Sequence, residues 1–104
     1  MVSAPRQGEI WWAETEEKRR PVLVVTRSEA VPVLTAIVVA PVTRTVRDIP
    51  TEIRLGEAEG LPLDCAASFD NLQRIRRSAL GVRLGSLGPR RQQICAALRA
   101  LADC

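Results

Sequence analysis

The sequence predicts a β-rich α+β fold, in which antiparallel strands form a small barrel or sandwich and helices pack outside it. Short runs of β-branched and other apolar residues follow one another at close spacing between residues 8 and 87. Firm helical periodicity is confined to the C-terminal end, after residue 88. At 104 residues, the chain has the length of one domain, residues 1–104, with a hydrophobic core of its own.

The predicted fold is organised around residues 18–26, where three cations precede an apolar run. Residues 22–26 are too few for a helix and indicate a strand buried on both faces. Pro21 has no N–H and suits the first residue of such a strand. The residue before a proline is driven to extended geometry, so Arg20 enters the sheet with its guanidinium held beside a rigid strand. A fixed cation in that place suits an anionic ligand or a phosphoryl transition state.

The other elements follow in chain order. Residues 8–14 predict a first strand that carries a tryptophan on each face, Trp11 and Trp12, so that one can be core while the other lines a surface. A charged loop then leads to Arg20. Further strands are predicted at residues 33–40, 51–55, 64–69 and 81–87, with loops or turns at 27–32, 47–50 and 56–63 and a helical turn at 78–80.

A C-terminal helix is predicted from Gly88 and Pro89 onward, because proline is favoured at the first helical position. Ile94, Leu98 and Leu101 recur at helical spacing and form one apolar stripe. This stripe is expected to pack on the outside of the sheet.

Composition excludes several classes of site. The chain has no histidine, which removes histidine triads, histidine metal ligands and imidazole acid–base catalysis. Cys65, Cys95 and Cys104 are odd in number and widely spaced, which argues against a disulfide framework and a zinc site. No sequence motif indicates a binding site for a metal or an organic cofactor. No apolar run reaches a membrane helix's length of about 18 residues, and no signal peptide is recognised, so the expected compartment is the cytoplasm.

Charge is distributed unevenly along the chain. Residues 1–70 hold eight Lys and Arg against eleven Asp and Glu, whereas residues 71–104 hold seven Arg against one Asp. Fourteen of the fifteen cations are arginine, which suits bidentate contact with phosphate. An arginine-rich composition that reflects a GC-biased coding sequence explains this bias equally well. The C-terminal arginines form at most a phosphate track, because no aromatic residues are interleaved with them.

The first candidate pair for chemistry is Arg20 and Thr43. Arg20 lies just before one buried strand and Thr43 just after the next, so antiparallel pairing of these strands would bring the two residues to the same edge of the sheet. A guanidinium and a hydroxyl side by side can hold two oxygens of one phosphate. The alternative is that Arg20 is a solvated surface residue and Thr43 an ordinary residue at a strand end.

Two further groups are candidates for proton transfer. Glu16 and Glu17 lie in the charged first loop, where a carboxylate can serve as a general base or belong simply to a solvated loop. Ser68 and Asp70 surround the end of a strand, where turn chemistry is the alternative explanation.

Four segments in this order resemble the MazF/PemK family of toxin endoribonucleases, and the resemblance covers nearly the whole chain. The segments are GEIWW at residues 8–12, RRPVLVV at 19–25, VAPVT at 39–43 and SFDN at 68–71, followed by LGSL at 84–87. The short first loop and the TRTVR segment at 43–47 look most like compact actinobacterial members. The resemblance implies an SH3-like barrel of the CcdB/Kid/MazF type with short flanking helices and a C-terminal α-helix, usually as a homodimer.

The resemblance also implies an activity and a partner. The activity is metal-independent, sequence-specific cleavage of single-stranded RNA by the ribose 2′-hydroxyl, which leaves 2′,3′-cyclic phosphate and 5′-hydroxyl ends and inhibits translation and growth. Arg20 and Thr43 match the family's catalytic pair. The implied partner is a cognate antitoxin with an acidic C-terminal tail. The cations expected to contact the RNA are Lys18, Arg19, Arg44, Arg47 and Arg74.

This chain departs from the family pattern at two places. Some members carry a histidine in the first loop, which is absent here, and an Arg–x–Asp triplet whose aspartate matches Asp70 but whose arginine position holds Ser68. The general base and acid are therefore open. Glu16 or Glu17 can act as the base, or Arg20 can do more than electrostatics, and Asp70 and Ser68 are possible acid–base groups or substrate contacts. Two other functions are weighed: an RNA-binding module without catalysis, and a CcdB-like gyrase poison. The second requires a C-terminal Trp-Gly-Ile end, whereas this chain ends in LADC at residues 101–104.

Overall fold

The computed structural model describes residues 4–16 and 18–102 and contains seven strands and one α-helix in that part of the chain. The described strand pairs are all antiparallel, and the β-rich α+β prediction is confirmed. The elements are β1 (Glu9–Glu14), β2 (Arg19–Val24), β3 (Ala36–Thr43), β4 (Glu52–Leu55), β5 (Cys65–Ser68), β6 (Gln73–Arg76), β7 (Leu80–Ser86) and α1 (Gln93–Ala102).

β3 is the strand around which the sheet is built, because it has three neighbours. One of its edges pairs with β2, in a register that sets Val22 opposite Pro41. Its other edge pairs with β6 up to Val39 and then with β5 from Val42 onward. The full order is β4–β5–β3–β2–β1–β7, with β6 joined to β3 alone. The outer neighbour of β3 therefore changes from β6 to β5 partway along the strand.

Alternating residues of the central strands divide the core between the two faces of the sheet. Leu23 belongs to a large cluster on one face, together with Phe69, and the helix residue Ile94 packs into the same cluster. Val22 and Val24 belong to a second cluster on the other face, which contains Trp11. All three β2 residues are almost fully buried, so the prediction of a strand covered on both faces is confirmed.

The sheet curls until its two edge strands, β4 and β7, approach each other. The loop after β4 reaches β7, where a Cβ at Gly85 would overlap the carbonyl oxygen of Glu59 and a Cβ at Gly60 would overlap that of Leu84. Gly60 also has a φ of +90°, which L side chains rarely adopt. Glycine is therefore required on both sides of this contact, which closes the curled sheet into a half-barrel.

Strand boundaries differ from the expectation at β2 and β3. β2 spans Arg19–Val24 rather than residues 22–26, so Pro21 is its third residue and not its first. Val33 is 78% exposed and belongs to the 3-10 turn Val31–Val33, since Pro32 fits the start of such a turn. β3 therefore begins at Ala36. β3 then continues through Pro41 to Thr43, rather than ending at residue 40. Proline is tolerated there because residue 41 lies where the outer partner of β3 changes from β6 to β5.

β6 is an element that the sequence did not predict. Its residues, Gln73–Arg76, are mostly polar, and Ile75 is half-buried while its neighbours are exposed. The segment is a strand because the N-terminal half of β3 offers it a free edge to pair with. Such long-range pairing leaves no signal in four residues of local sequence.

The C-terminal helix begins later than expected. Gly88–Arg90 is a 3-10 turn, and α1 starts at Gln93. Ile94 and Ala97 are buried, whereas Leu101 is 42% exposed, so the contact stripe is shorter than predicted. None of the helices in the described ranges is long and apolar enough to cross a membrane.

Candidate active-site cleft

Arg20 and Thr43 lie near the ends of two paired strands and line the same cleft. The β2–β3 register pairs Val22 with Pro41, and continuing it by two residues on each strand sets Arg20 opposite Thr43. Both side chains are half-buried and line the same cleft, whose volume is about 520 Å³. The antiparallel neighbourhood expected for these two strands is therefore present.

The cleft is lined by both cationic and apolar residues. Arg19, Arg20 and Arg44 are the charged side chains among the described residues that line it. Trp12 and Leu84 contribute to the apolar lining from the strands. The lining is completed by Pro21, Val42, Thr43, Cys65 and loop residues 60–63. Because no described carboxylate lines the cleft, the local potential favours an anion.

The Arg20 guanidinium has no ion pair or hydrogen bond to any residue in the described ranges. A half-buried cation without a protein partner is costly to desolvate, and an anionic ligand would satisfy it. Its neighbour Arg19 differs, since its Nε lies 3.7 Å from Glu14 Oε1 in a largely exposed pair. Pairs of that kind contribute about 0–1 kcal/mol to stability.

The Thr43 hydroxyl is oriented by the chain that follows it. Its Oγ1 accepts a hydrogen bond from the backbone N–H of Thr45 at 3.1 Å. No described acceptor takes the hydroxyl proton of Thr43 in return, so that proton can be donated to a ligand. Arg20 and Thr43 together offer a cation and a neutral donor to one oxyanion.

The loop wall of the cleft is held by a buried carboxylate. Glu59 is 7% exposed, and its Oε1 accepts the backbone N–H of Gly56 at 2.8 Å. Its Oε2 lies 3.1 Å from Arg90 Nη1, and Arg90 Nη2 donates to the carbonyl of Arg54 at 2.7 Å. These contacts fix the loop that contains Leu61 against the turn that precedes α1.

Cys65 lies at the back of the cleft. Its thiol is buried and donates a long hydrogen bond, 3.8 Å, to the carbonyl of Leu55. Burial raises the pKa of the Cys65 thiol, and the negative charges of Asp64 and Glu59 raise it further. The group therefore remains protonated at neutral pH, which makes it a poor base and a poor nucleophile.

The residues of the first loop that were candidates for proton transfer or RNA contact differ in their distance from the cleft. Glu16 is exposed and does not line the cleft, and Glu17 lies outside the described residues. Lys18 lines a separate, smaller recess that shares Arg20 with the cleft. The first loop thus brings a cation, rather than a described carboxylate, next to Arg20.

The candidates near the end of β5 do not line the cleft. Ser68 is buried and accepts a hydrogen bond from Asn71 Nδ2 at 2.9 Å. Asp70 is exposed, and its Oδ2 accepts the hydroxyl of Thr51 at 2.6 Å. Both side chains therefore serve the turn that follows β5 in this conformation.

The remaining arginine candidates separate into two groups. Arg47 and Arg74 are exposed and lie outside the cleft lining, on the segment after β3 and on β6. Several other C-terminal arginines have structural partners. Arg83 Nε donates to Glu9 Oε2 at 2.8 Å, Arg77 Nη1 to the carbonyl of Val31 at 2.9 Å, and Arg90 to its partners above.

Two features of the cleft were only partly visible in the sequence. The pair of adjacent tryptophans on opposite faces signalled that one lines a surface, and the structure assigns that place to Trp12 and a core place to Trp11. The wall formed by residues 60–63 had no comparable signal.

Within the described ranges, no three His, Cys, Asp or Glu side chains are grouped to share a metal ion.

Fold and cleft together define a small β-rich protein with a strongly curled antiparallel sheet and a cleft lined by arginines and apolar residues. The family model described as PemK-like, MazF-like toxin of type II toxin-antitoxin system matches residues 6–102, and the chain belongs to this family. A probable endoribonuclease MazF2 of Mycobacterium tuberculosis is 40% identical over 101 residues, which are 95% of this chain and 99% of that protein.

Solved structures agree with this assignment. The M. tuberculosis toxin MazF-mt6 superposes with a TM-score of 0.84 at 35% identity, over 91% of this chain and 96% of that one. An endoribonuclease in complex with its cognate antitoxin, from a mycobacterial species, gives a TM-score of 0.79 at 26% identity over 93% of each chain. The expected CcdB/Kid/MazF-like fold is therefore confirmed.

Proposed function

We propose that this chain is an endoribonuclease toxin that cuts single-stranded RNA at a short sequence motif without a metal ion. The observation that carries the proposal is an Arg20 guanidinium without a partner among the described residues, in a cleft that Thr43 also lines and whose described charged residues are all arginines. Relatives named as endoribonucleases match nearly the whole chain, which supports the same reaction class.

In the proposed reaction, the ribose 2′-oxygen attacks the adjacent phosphorus. A new P–O2′ bond forms and the P–O5′ bond breaks, which leaves a 2′,3′-cyclic phosphate on one fragment and a 5′-hydroxyl on the other. The 2′-hydroxyl loses its proton, and the departing 5′-oxygen gains one. Arg20 stabilises the charge that develops on the non-bridging oxygens, and Thr43 donates a hydrogen bond to the same phosphate.

Most of the rate enhancement is assigned to this charge stabilisation. Cys65 is unsuited to proton transfer because its pKa is raised. Glu16, Glu17, Asp70 and Ser68 remain the candidates for general base and acid, and the three described ones, Glu16, Asp70 and Ser68, would have to approach the cleft when RNA is bound. A proton exchange with water needs no such movement and is the simpler route.

The remaining cleft residues are assigned to binding. Arg19 and Arg44 line the cleft together with Arg20 and Thr43, where they would neutralise neighbouring phosphates. Trp12 offers an aromatic surface on which one base can stack. Stacking accepts any base, so it holds the strand without choosing its sequence.

We further propose a cognate antitoxin with an acidic tail as the partner of this cleft. The support is the cationic lining, to which acidic side chains are complementary, and a related endoribonuclease that was solved in complex with its antitoxin. A homodimer and a cytoplasmic location complete the proposal, as the family resemblance implies.

The test is incubation of the purified protein with a long, weakly structured RNA in excess EDTA, followed by sequencing of the cut ends. Cuts at one short motif, with cyclic phosphate and 5′-hydroxyl ends, are expected. Arg20→Ala should lose cleavage while it retains salt-dependent RNA binding. If the wild-type protein binds RNA and cuts nothing, the chain is a binding module instead.

A further inference from the structure

Arg20 lies between two cavities, and the second of them has no assigned role. Besides the cleft, Arg20 lines a recess of about 120 Å³ on the side toward β6. Three buried or half-buried apolar residues, Ala13, Val22 and Ile75, also line it. Its polar lining is formed by Thr15, Lys18, Arg20 and Gln73.

The size of the recess restricts what it can hold. Its volume is well below the about 300 Å³ at which pockets for drug-sized ligands begin. It greatly exceeds the about 10–15 Å³ that a single water requires. Because polar groups make up most of its lining, it suits one small ring that presents several hydrogen-bonding groups, and the smaller pyrimidine ring fits better than a purine.

The polar groups of the recess are available to a ligand. Thr15 is already used, because its hydroxyl donates to the carbonyl of Lys18 and accepts the N–H of the same residue, which fixes the turn. The Lys18 ammonium and the Gln73 amide have no hydrogen-bond partner among the described residues. Lys18 and Arg20 can only donate, whereas Gln73 can donate and accept.

We propose that this recess binds the base next to the phosphate held by Arg20, that it selects uracil, and that Gln73 is the residue that reads it. Uracil presents two carbonyl oxygens, which suit the donor-only side chains of Lys18 and Arg20. The Gln73 amide completes the match, since it donates to one carbonyl and accepts the uracil N3–H. Cytosine would direct its amino group at a cation. The inference rests on the proposed function, because RNA is taken as the ligand.

The test compares binding of 2′-O-methyl heptanucleotides, which cannot be cut, by fluorescence anisotropy at fixed salt. The heptamers are identical except for uracil or cytosine at one position at a time. The wild-type protein is expected to prefer uracil at one position by about tenfold. Gln73→Glu keeps the shape of the side chain, removes its donor and adds an acceptor for the cytosine amino group. This variant should lower the uracil-to-cytosine ratio at that position by about tenfold.

Gln92→Glu is the matched control, because Gln92 is exposed and outside both cavities. It makes the same change of charge and should keep the wild-type ratio. An unchanged ratio in Gln73→Glu, or a wild-type protein without preference at any position, would overturn the proposal.

Cleavage of unmodified RNA, measured in parallel, separates the two proposals. If RNA is cut but the ratio does not respond to Gln73→Glu, only the role of the recess is wrong. If the ratio responds although no RNA is cut, the recess is correct and the proposed catalysis is wrong.

Discussion

Arg90 Nη1 lies 3.1 Å from Glu59 Oε2, and this ion pair joins the loop that walls the cleft to the turn that precedes α1. Glu59 is nearly buried, while about a third of the Arg90 side chain is exposed. The same guanidinium also satisfies the carbonyl of Arg54. One side chain therefore links two loops and a strand end.

Removal of Arg90 is expected to destabilise the fold. Arg90→Ala leaves the Glu59 carboxylate buried with one partner fewer, so we expect the free energy of unfolding to fall by about 1–3 kcal/mol. Urea denaturation measures the change. Arg99→Ala, on an exposed position of α1, is the control and should stay within about 0.5 kcal/mol of the wild type. Equal stability of the two variants would show that the pair contributes nothing.

The contact between Gly60 and Gly85 gives a second prediction about stability. A methyl group at residue 85 would overlap the backbone carbonyl of Glu59, which no side-chain rotation relieves. Gly85→Ala should therefore cost about 1–3 kcal/mol or more in the free energy of unfolding. Gly81→Ala in the same strand is the matched control, because its nearest non-local atom would lie 3.7 Å from the added Cβ. A Gly85→Ala protein with the same urea midpoint as the control would contradict the close approach.

The proposed catalytic pair predicts large kinetic effects with small effects on stability. Arg20→Lys keeps the charge but loses the two-pronged geometry, and Thr43→Val keeps the shape but loses the donor. Each substitution should reduce the cleavage rate by a factor of about 10²–10³. Single-turnover cleavage and thermal unfolding are measured on the same preparations. Arg27→Lys, at an exposed position outside the cleft, provides the control. A wild-type rate in Arg20→Lys and Thr43→Val would remove both residues from the mechanism.

Trp12 gives a prediction that separates stacking from simple packing. Trp12→Phe keeps an aromatic face, whereas Trp12→Leu keeps apolar bulk without one. We expect Leu to weaken RNA binding by about 1–3 kcal/mol and Phe to weaken it less. Affinities for a non-cleavable oligonucleotide are compared at one salt concentration, since salt alone changes them strongly. Equal losses in the two variants would indicate packing of the cleft wall rather than a base platform.

The raised pKa of Cys65 predicts how its reactivity depends on pH. In a Cys95→Ser, Cys104→Ser background, alkylation by iodoacetamide should be slow at neutral pH and should rise with a midpoint above the usual thiol value of about 8.5. The unfolded thiol ionises at lower pH than the folded one, so the free energy of unfolding should decline as pH rises above that value. Reactivity that levels off below pH 8 would contradict a buried, neutral thiol.

The parts of this structure that the sequence predicted are those with a local or a nearest-neighbour cause. Residues 22–24 are apolar without interruption, and this pattern alone predicted a strand buried on both faces. The short connection between β2 and β3 then favoured their antiparallel pairing. That pairing predicted that Arg20 and Thr43 lie at the same edge of the sheet, and both residues line the cleft.

The parts that escaped prediction depend on contacts between distant segments. β6 is a strand because β3 has a free edge, and its own four residues carry no such pattern. Glu59 falls in the predicted loop of residues 56–63 and Arg90 in the predicted C-terminal helix, and nothing local shows that the curl of the sheet brings them together. Ser68 and Asp70 matched a family motif in sequence, but their hydrogen bonds to Asn71 and Thr51 are set by the turn in which they lie.

The cleft is formed partly by paired strands and partly by a loop, and this difference determines which part of the cleft can vary among related proteins. Arg20 and Thr43 stand on paired strands at the centre of the sheet, whereas the facing wall is the loop of residues 56–63, attached through Glu59 and Gly60. Loops tolerate replacement and insertion far better than central strands. Under the proposed function, exchange of the wall can change which neighbouring nucleotides the cleft accepts, while the catalytic pair and the recess that reads uracil stay in place. The same fold can therefore supply a genome with many toxins that share one reaction and differ in their targets.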